Sequence, residues 1–215
     1  MAGKQQLDMP PVPNLGTSGI SYSQDVQNQN NGALRTFFIK LVNAIQSITS
    51  RMGGKYINFP YGAFQSLADQ AIVTANTAYA ITLDTTDFTN GVTISNSSRI
   101  NVVNGGLYNL QWSGQFQNTD SQLHDVSVWL RKNGTDIVGS TGFISVPNSH
   151  GGVDGHSIVG WNYFLELAEN DYVELYWSAT STTISLQFYP TQTSPTRPST
   201  ASVIATMSFV SNLPT

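Results

Sequence analysis

The sequence predicts a mainly β protein, an antiparallel sandwich or barrel that follows an extended N-terminal arm and one short helix. Three observations support this class. From residue 70 onwards, short runs of alternating apolar and polar residues follow one another without helical patterns between them. Residues 33–52 show the spacing of an amphipathic helix. Charged residues make up only 10% of the 215 residues, against about 25% in ordinary domains, which suits β structure with large subunit contacts.

Residues 1–32 are rich in proline, glycine, asparagine and glutamine. A segment of this composition cannot bury enough apolar surface to order itself. We therefore expect an extended arm that becomes fixed against a partner, with disorder of the arm in the free protein as the alternative. The arm lacks the apolar core of a secretory leader, so no secretion signal is expected.

Residues 33–52 predict a helix with an apolar seam, capped by Asn30 or Asn31 and ended by the two glycines at 53 and 54. The seam residues are spaced alternately by four and three positions, and they are Leu34, Phe38, Leu41, Ile45, Ile48 and Met52. This is the 3.5-residue repeat of a coiled coil, and aliphatic residues at both seam positions favour three strands. We expect a trimeric helical stem; packing of the helix on its own β domain is the alternative.

Residues 53–69 are predicted to be a linker without regular structure, because Pro60 and three glycines lie there. The β domain is predicted over residues 70–215. Its strands carry Val126, Val128 and Leu130 on one face of a run that ends in an Asn-Gly hairpin turn.

Several strands carry large residues on both faces. Trp129 lies opposite Val128 in the alternation, and Tyr172 and Tyr176 lie opposite Val173. A lone sandwich would present a polar outer face. We therefore expect Trp129, Tyr172 and Tyr176 at an interface between copies of the chain.

Four segments of the β region carry a family resemblance: GGLYNLQWSGQFQN, VWLRKNG, LELAENDYVELYW and SVIATMSFV. In this order they resemble the jelly-roll domain shared by tumour necrosis factor and complement-collagen proteins, and most closely the version in bacteriophage virion proteins. The resemblance covers roughly residues 70–210. It implies a jelly roll in a tight homotrimer, with aromatic and aliphatic residues facing the threefold axis. Asn170 stands where the family usually has glycine before Asp171, and the last strand lacks the family's usual glycine.

The N-terminal third resembles phage appendage proteins, which pair a Pro-rich attachment arm with a short helix before a trimeric knob. This implies a structural virion component, assembled in the host cytoplasm: a homotrimeric fiber or decoration protein of the head or tail. Residues 1–32 would bind other virion proteins, and the outward jelly roll would have a host surface glycan as a further partner. The alternative is a free carbohydrate-binding jelly-roll module.

Charge and composition exclude several other classes. Residues 1–55 carry five basic and two acidic residues (net +3), and the rest carry four basic and eleven acidic residues (net −7). Because phosphate binding needs clustered Lys and Arg, an acidic body argues against a nucleic-acid partner. The sequence has no cysteine, so thiolate metal sites and disulfides are absent. It has no apolar run long enough for membrane insertion.

Catalytic, metal and cofactor sites are not expected. His150 and His156 with Asp154 could form a loop metal site or a ring on a threefold axis, but a flexible glycine loop between strands is favoured. Asp84, Asp87 and Asn90 could bind calcium, but turn formation is favoured. A set of carboxylates around one hairpin is expected to serve as a turn residue, Asp171, and as solvent-facing strand residues, Glu166, Glu169 and Glu174. We therefore predict a protein that is not an enzyme.

Sugar binding is the hypothesis that is hardest to dismiss. Tyr and Trp flanked by Asn, Asp and Gln are what a carbohydrate site needs, although such aromatics are more often core or interface residues. The long Pro/Thr/Ser-rich loop at residues 189–200 is a candidate contact surface. The carbohydrate-binding residues themselves are not identified by the sequence.

Overall fold

The computed structural model describes residues 10–17, 19, 21–49 and 58–213. The chain divides into two compact units, Met1–Asn58 and Phe59–Thr215. The first contains the helix α1 (Gln24–Thr49). The strands of the second are β1 (Tyr61–Ser66), β2 (Gln70–Ala71), β3 (Tyr79–Ala80), β4 (Thr85–Asn90), β5 (Val92–Ser95), β6 (Arg99–Val102), β7 (Gly106–Asn118), β8 (His124–Lys132), β9 (Thr135–Asp136), β10 (Gly142–Val146), β11 (Gly155–Leu167), β12 (Tyr172–Ala179), β13 (Ile184–Leu186), β14 (Gln192–Thr193), β15 (Thr196–Arg197) and β16 (Val203–Ser211).

The second unit is an antiparallel β-sandwich, as predicted. One sheet, here called the front sheet, has the order β2-β13-β7-β16-β1-β4, with β11 on the other edge of β7. The back sheet has the order β10-β8-β12-β6-β5, with β3 beside β12 and β9 beside β8. Successive long strands alternate between the sheets, and the last long strand pairs beside the first. This is the strand arrangement of a jelly roll.

The core lies between the two sheets and follows from the two-residue period of the strands. On β7, Tyr108, Leu110 and Phe116 are buried, and on β12, Val173 and Trp177 are buried. Val126, Val128 and Leu130 of β8 are also buried, so the inward faces predicted for β8 and β12 are confirmed. Burial of these large side chains removes apolar surface from water, which is the main favourable term in folding.

Two turns explain residues that the sequence singled out. Asn133 and Gly134 both have positive φ, 49° and 83°, which is the two-residue hairpin turn predicted after β8. Asn170 has φ of 66° between β11 and β12. Asparagine tolerates this left-handed conformation better than other non-glycine residues. The turn between β11 and β12 thus forms without a glycine.

The helix begins earlier than predicted. It starts at Gln24 rather than residue 33, so the predicted caps Asn30 and Asn31 lie inside it. Ser23 is its cap: the Val26 N–H donates to Ser23 Oγ at 3.5 Å, and the Gln27 N–H donates to the Ser23 carbonyl at 3.1 Å. The predicted extended arm is correspondingly shorter. The predicted end of the helix, with Met52, lies outside the described residues.

The prediction of a linker over residues 53–69 is wrong for its second half. Strand β1 occupies Tyr61–Ser66, and its Ala63, Phe64 and Ser66 are buried. Pro60 precedes the strand and leaves its ladder intact, while its carbonyl accepts a hydrogen bond from the Phe209 N–H at 2.9 Å. The β domain therefore starts before residue 70.

In the helical unit, the Pro-rich segment lies along the helix. The Gly16 N–H donates to Asn30 Oδ1 at 2.9 Å, and Asn30 Nδ2 donates to the Gly16 carbonyl at 2.8 Å. Residues 10–14 and the helical residues Gly32, Phe37 and Lys40 line one groove. The described part of the arm is thus held by the helix of its own unit.

Candidate functional site

The outer face of the back sheet carries a patch of aromatic and arginine side chains, here called the aromatic–arginine surface: Arg99, Trp129, Arg131, Tyr172 and Tyr176. Trp129 and Tyr176 are directly opposite in the β8–β12 register, with ring centroids 6.0 Å apart. The Arg131 guanidinium lies 3.8 Å from the Tyr176 ring centroid, and that of Arg99 lies 4.3 Å from the Tyr172 centroid. Both distances are those of cation–π contacts.

Asp136, on β9, accepts hydrogen bonds from both β8 side chains of this surface, Trp129 and Arg131. Its Oδ1 accepts hydrogen bonds from Arg131 Nε at 2.7 Å and from Trp129 Nε1 at 2.8 Å. These two donors, Arg131 first, hold the pKa of the Asp136 carboxyl below its usual value. The same hydrogen bond raises the pKa of Arg131. The aromatic rings are therefore fixed in place by polar contacts within the chain.

Glu174 corrects a prediction. It was expected at a solvent-facing position, but it is only 5% exposed. Ser98 Oγ donates to Glu174 Oε1 at 2.7 Å, and Arg99 Nε lies 3.7 Å from the same oxygen. The hydrogen bond from Ser98 and the ion pair with Arg99 offset the cost of removing this carboxylate from water.

Asp171 anchors the hairpin between β11 and β12. Its carboxylate accepts from the Ala168 N–H at 2.7 Å and from Asn133 Nδ2 at 2.6 Å, and Lys132 Nζ lies 2.8 Å away. Burial raises the pKa of Asp171, but the hydrogen bonds from Lys132, Asn133 and the Ala168 backbone outweigh it and leave that pKa lowered. The turn role predicted for Asp171 is confirmed.

The front sheet carries a cavity of about 270 Å³ on its outer face. Its principal lining side chains come from β7, β11 and the segment after β13, and they are Gln115, His156, Ile158, Gln187, Tyr189 and Arg197. Ile158 and Gln115 are directly opposite in the β7–β11 register. Ile158 is 77% exposed although it lies in the middle of a strand.

The loop at 189–200 forms one wall of this cavity. Tyr189 and Thr200 exchange two backbone hydrogen bonds, of 3.0 and 2.7 Å, which close the loop. Between them β14 and β15 pair, with Gln192 opposite Arg197. The Tyr189 hydroxyl lies 3.4 Å from His156 Nδ1. Burial, then the nearby carboxylates Asp154 and Asp69, raise the pKa of Tyr189, while Arg197 acts in the opposite sense.

The metal candidates do not come together. Within the described residues, no three His, Asp or Glu side chains are grouped closely enough to hold an ion. His150 and Val153 exchange backbone hydrogen bonds around two glycines of positive φ, whereas His156 lies at the cavity. Asp84 accepts from the Leu67 N–H, and Asp87 accepts from Gln65 Nε2 at 2.6 Å. These groups serve turns and strand contacts.

The described residues of the helix seam differ in their exposure to solvent within one chain. Leu34 and Leu41 are half-buried, whereas Phe38, Ile45 and Ile48 are exposed. Ile39 and Val42 extend this exposed surface. Despite these apolar residues, the described helix lacks the continuous hydrophobicity needed to cross a bilayer.

Sequence reasoning found Trp129, Tyr172, Tyr176 and the 189–200 loop but missed their polar neighbours. Arg131 follows Trp129 by two positions on β8, so strand alternation alone places both on one face. No local pattern in the sequence pairs Arg197 with Gln115, because only the fold brings these two residues together.

Neither a scan against protein-family models nor a search of curated proteins finds a match to this chain.

Proposed function

We propose that this protein is a structural, non-enzymatic component of a phage particle, a homotrimeric appendage whose helix joins three copies. The observation that carries the proposal is the seam of α1. Phe38 is 55% exposed and Ile48 is 39% exposed on a helix of 26 residues. Their heptad spacing with Leu34 and Leu41 is the pattern that a helical bundle buries.

Self-association explains why such a helix would be stable. Helical stability in proteins comes mostly from packing of an apolar face rather than from intrinsic propensity. Three copies would bury Phe38 and Ile48 against one another, together with the half-buried Leu41. Each buried side chain of this size contributes about 1.5–3 kcal/mol relative to exposure.

The β domain is then the knob of the appendage. Its aromatic–arginine surface has the composition that interfaces favour, since aromatic residues and arginine are enriched there. Trp129, Tyr172 and Tyr176 are therefore proposed as the contact between knobs. The rings of Tyr172 and Tyr176 are already held by Arg99 and Arg131, and that of Trp129 by Asp136. Little side-chain freedom is therefore lost on association.

The arm is proposed to bind other virion proteins. Its Pro-rich composition and the resemblance to phage appendages support this role. Residues 10–14 line a groove together with helical residues of the same unit, so each helix would carry its arm into the assembly.

Light scattering of the full-length protein tests the proposal. A mass near three chains is expected for the wild type. The test variant changes Phe38, Leu41, Ile45 and Ile48 to Ser, and the control changes Asn28 and Gln29, which are exposed near the start of the helix, to Ser. We expect the first to dissociate and the second to remain trimeric. A test variant that stays trimeric would assign assembly to the knob, and a wild-type monomer would contradict the proposal.

A free carbohydrate-binding module is the second candidate, and the front-sheet cavity favours it. Tyr189, His156 and the amides of Gln115 and Gln187 converge there. This class requires no helix-mediated assembly. A monomeric wild type that binds glycans would therefore support this candidate over the appendage.

A further inference from the structure

We propose that the front-sheet cavity binds one carboxylate-bearing sugar residue of a glycan, with Arg197 holding the carboxylate. The inference rests on the proposed function only for the source of the glycan, which would be a host surface. The cavity lies on the sheet opposite the aromatic–arginine surface. It would therefore stay open if that surface joins three knobs.

The first reason for this inference is that the charge on Arg197 is available to a ligand. Among residues 58–213, Arg99, Arg131 and Lys132 each have a carboxylate within ion-pair distance, whereas Arg197 has none from a described residue. Arg197 is exposed and lines the cavity. A planar guanidinium matches a carboxylate through two parallel hydrogen bonds, so a carboxylate is the ligand group that fits it best.

Two glutamines carry the second step. Gln115 Nε2 donates to the Ala201 carbonyl at 2.8 Å, and Gln187 Nε2 donates to Ser185 Oγ at 2.8 Å. These bonds orient both amides through their nitrogens. Neither amide oxygen accepts a hydrogen bond from a described side chain, so both can accept from sugar hydroxyls. Fixed acceptors of this kind favour a polyhydroxylated ligand over a simple anion.

The size and the apolar part of the cavity carry the third step. Its volume of about 270 Å³ lies just below the roughly 300–1,000 Å³ of drug-sized sites, which suits a single sugar residue. Ile158 gives the carbon face of a sugar ring an apolar contact, and the half-buried ring of Tyr189 lies on the other wall.

The neighbouring carboxylates do not compete for the same position. Asp154 accepts a hydrogen bond from Gln117 Nε2, and Asp69 accepts one from the Phe188 N–H at 2.8 Å. Neither lines the cavity. Both carboxylates raise the pKa of Tyr189. The cavity wall itself carries the charged group of Arg197.

A matched pair of ligands tests the inference with the full-length protein: methyl β-D-glucuronide and methyl β-D-glucoside, which differ only at C6. Amide shifts in a ¹⁵N NMR titration report binding at residues 156–158 and 187–200. We expect saturable shifts there and glucuronide affinity at least about tenfold above that of the glucoside, the scale of one charge-assisted contact. Equal affinities, or no saturable shift with either sugar, would overturn the inference.

Three variants locate the charge. Arg197→Gln is expected to abolish the preference for glucuronide while leaving weak glucoside binding. Arg35→Gln removes the same charge from the helix and should leave the preference intact. Gln187→Glu adds a carboxylate to the wall, where Ser185 can donate to it, and should weaken glucuronide binding more than glucoside binding. If Arg197→Gln keeps the wild-type preference while remaining folded by circular dichroism, the assignment is wrong.

The outcome is separable from the proposed assembly. The mass of each NMR sample reports trimer formation, which the Arg197 and Gln187 substitutions should not change. A trimer without sugar binding would remove only the inference about the cavity. A monomer that binds glucuronide would remove the appendage and retain the site.

Discussion

The helical unit and the β unit place similar apolar residues in opposite surroundings. In the β unit, Tyr108, Phe116 and Trp177 are buried between the two sheets. In the described part of the helical unit, Ala44 is the one apolar side chain in the buried class, and Phe38 is exposed. The β unit buries a large apolar core within one chain and leaves some apolar residues such as Phe143 and Ile158 at its surface, whereas the described helix has no comparable core.

This difference indicates two sources of stability. A sandwich of this size gains its stability from its own core, because burial between the sheets removes most of the apolar strand faces from water. A helix with an exposed seam gains most of its stability only when another surface covers it. We therefore expect the β unit to respond to core substitutions and the helix to respond to the concentration of the protein.

The largest expected effect comes from the core of the β unit. Trp177→Ala should lower the free energy of unfolding by about 3–5 kcal/mol, because it removes a fully buried ring. Phe143→Ala is the control, since Phe143 is 80% exposed on β10, and it should change stability by less than about 1 kcal/mol. Urea unfolding followed by tryptophan fluorescence measures both. Equal losses would mean that the outer face near Phe143 is also covered.

A smaller effect is expected at the hairpin anchored by Asp171. Asp171→Asn should cost about 1–2 kcal/mol at pH 7, because the carboxylate accepts charge-assisted hydrogen bonds. Glu169→Gln is the control, because it removes an exposed carboxylate from the same hairpin.

The stabilising effect of the Asp171 carboxylate is expected to depend on pH. The folded-state pKa of Asp171 is lowered, so its contribution is fully present above the unfolded pKa of about 3.9 and is lost as pH falls through the folded value. The stability gap between wild type and Asp171→Asn should therefore close below about pH 4. A gap that stays constant from pH 7 to pH 3 would show that the carboxylate charge is not responsible.

The smallest expected effect is on the β unit when the helix is removed. A chain that begins at Asn58 should keep its sandwich, with a melting temperature that no longer depends on the assembly of the helix. Circular dichroism and the concentration dependence of melting measure this. Unfolding of the shortened chain would contradict the independence of the two units.

Local patterns predicted most of the β domain and only part of the helix. The alternation of Val126, Val128 and Leu130 was sufficient, because side chains alternate between strand faces whatever the partner strand is. The start of the helix was missed because its first turns, from Gln24 onwards, carry few apolar residues and depend on the Ser23 cap. Strand β1 was missed because Pro60 and Gly62 are signals for irregular structure.

Side-chain surroundings were harder to predict than faces. Glu174 was placed on the correct outer face, but its burial depends on Arg99 of β6 and on Ser98 in the turn before it. His156 was considered with its sequence neighbours Asp154 and His150, whereas its side chain lies against Tyr189. In both cases the decisive contact joins residues that lie far apart in the chain.

The sequence by itself determined the mainly β class, the inward faces of the long strands, the hairpin at Asn133 and the apolar seam of the helix. These features depend on periodicity and on turn preferences, which act over a few residues. Only the tertiary structure decided that Arg131 lies on Tyr176 and that Arg197 meets Gln115 and His156 at one cavity. Strand pairing between distant segments sets those contacts, and its register is fixed by burial of the whole core.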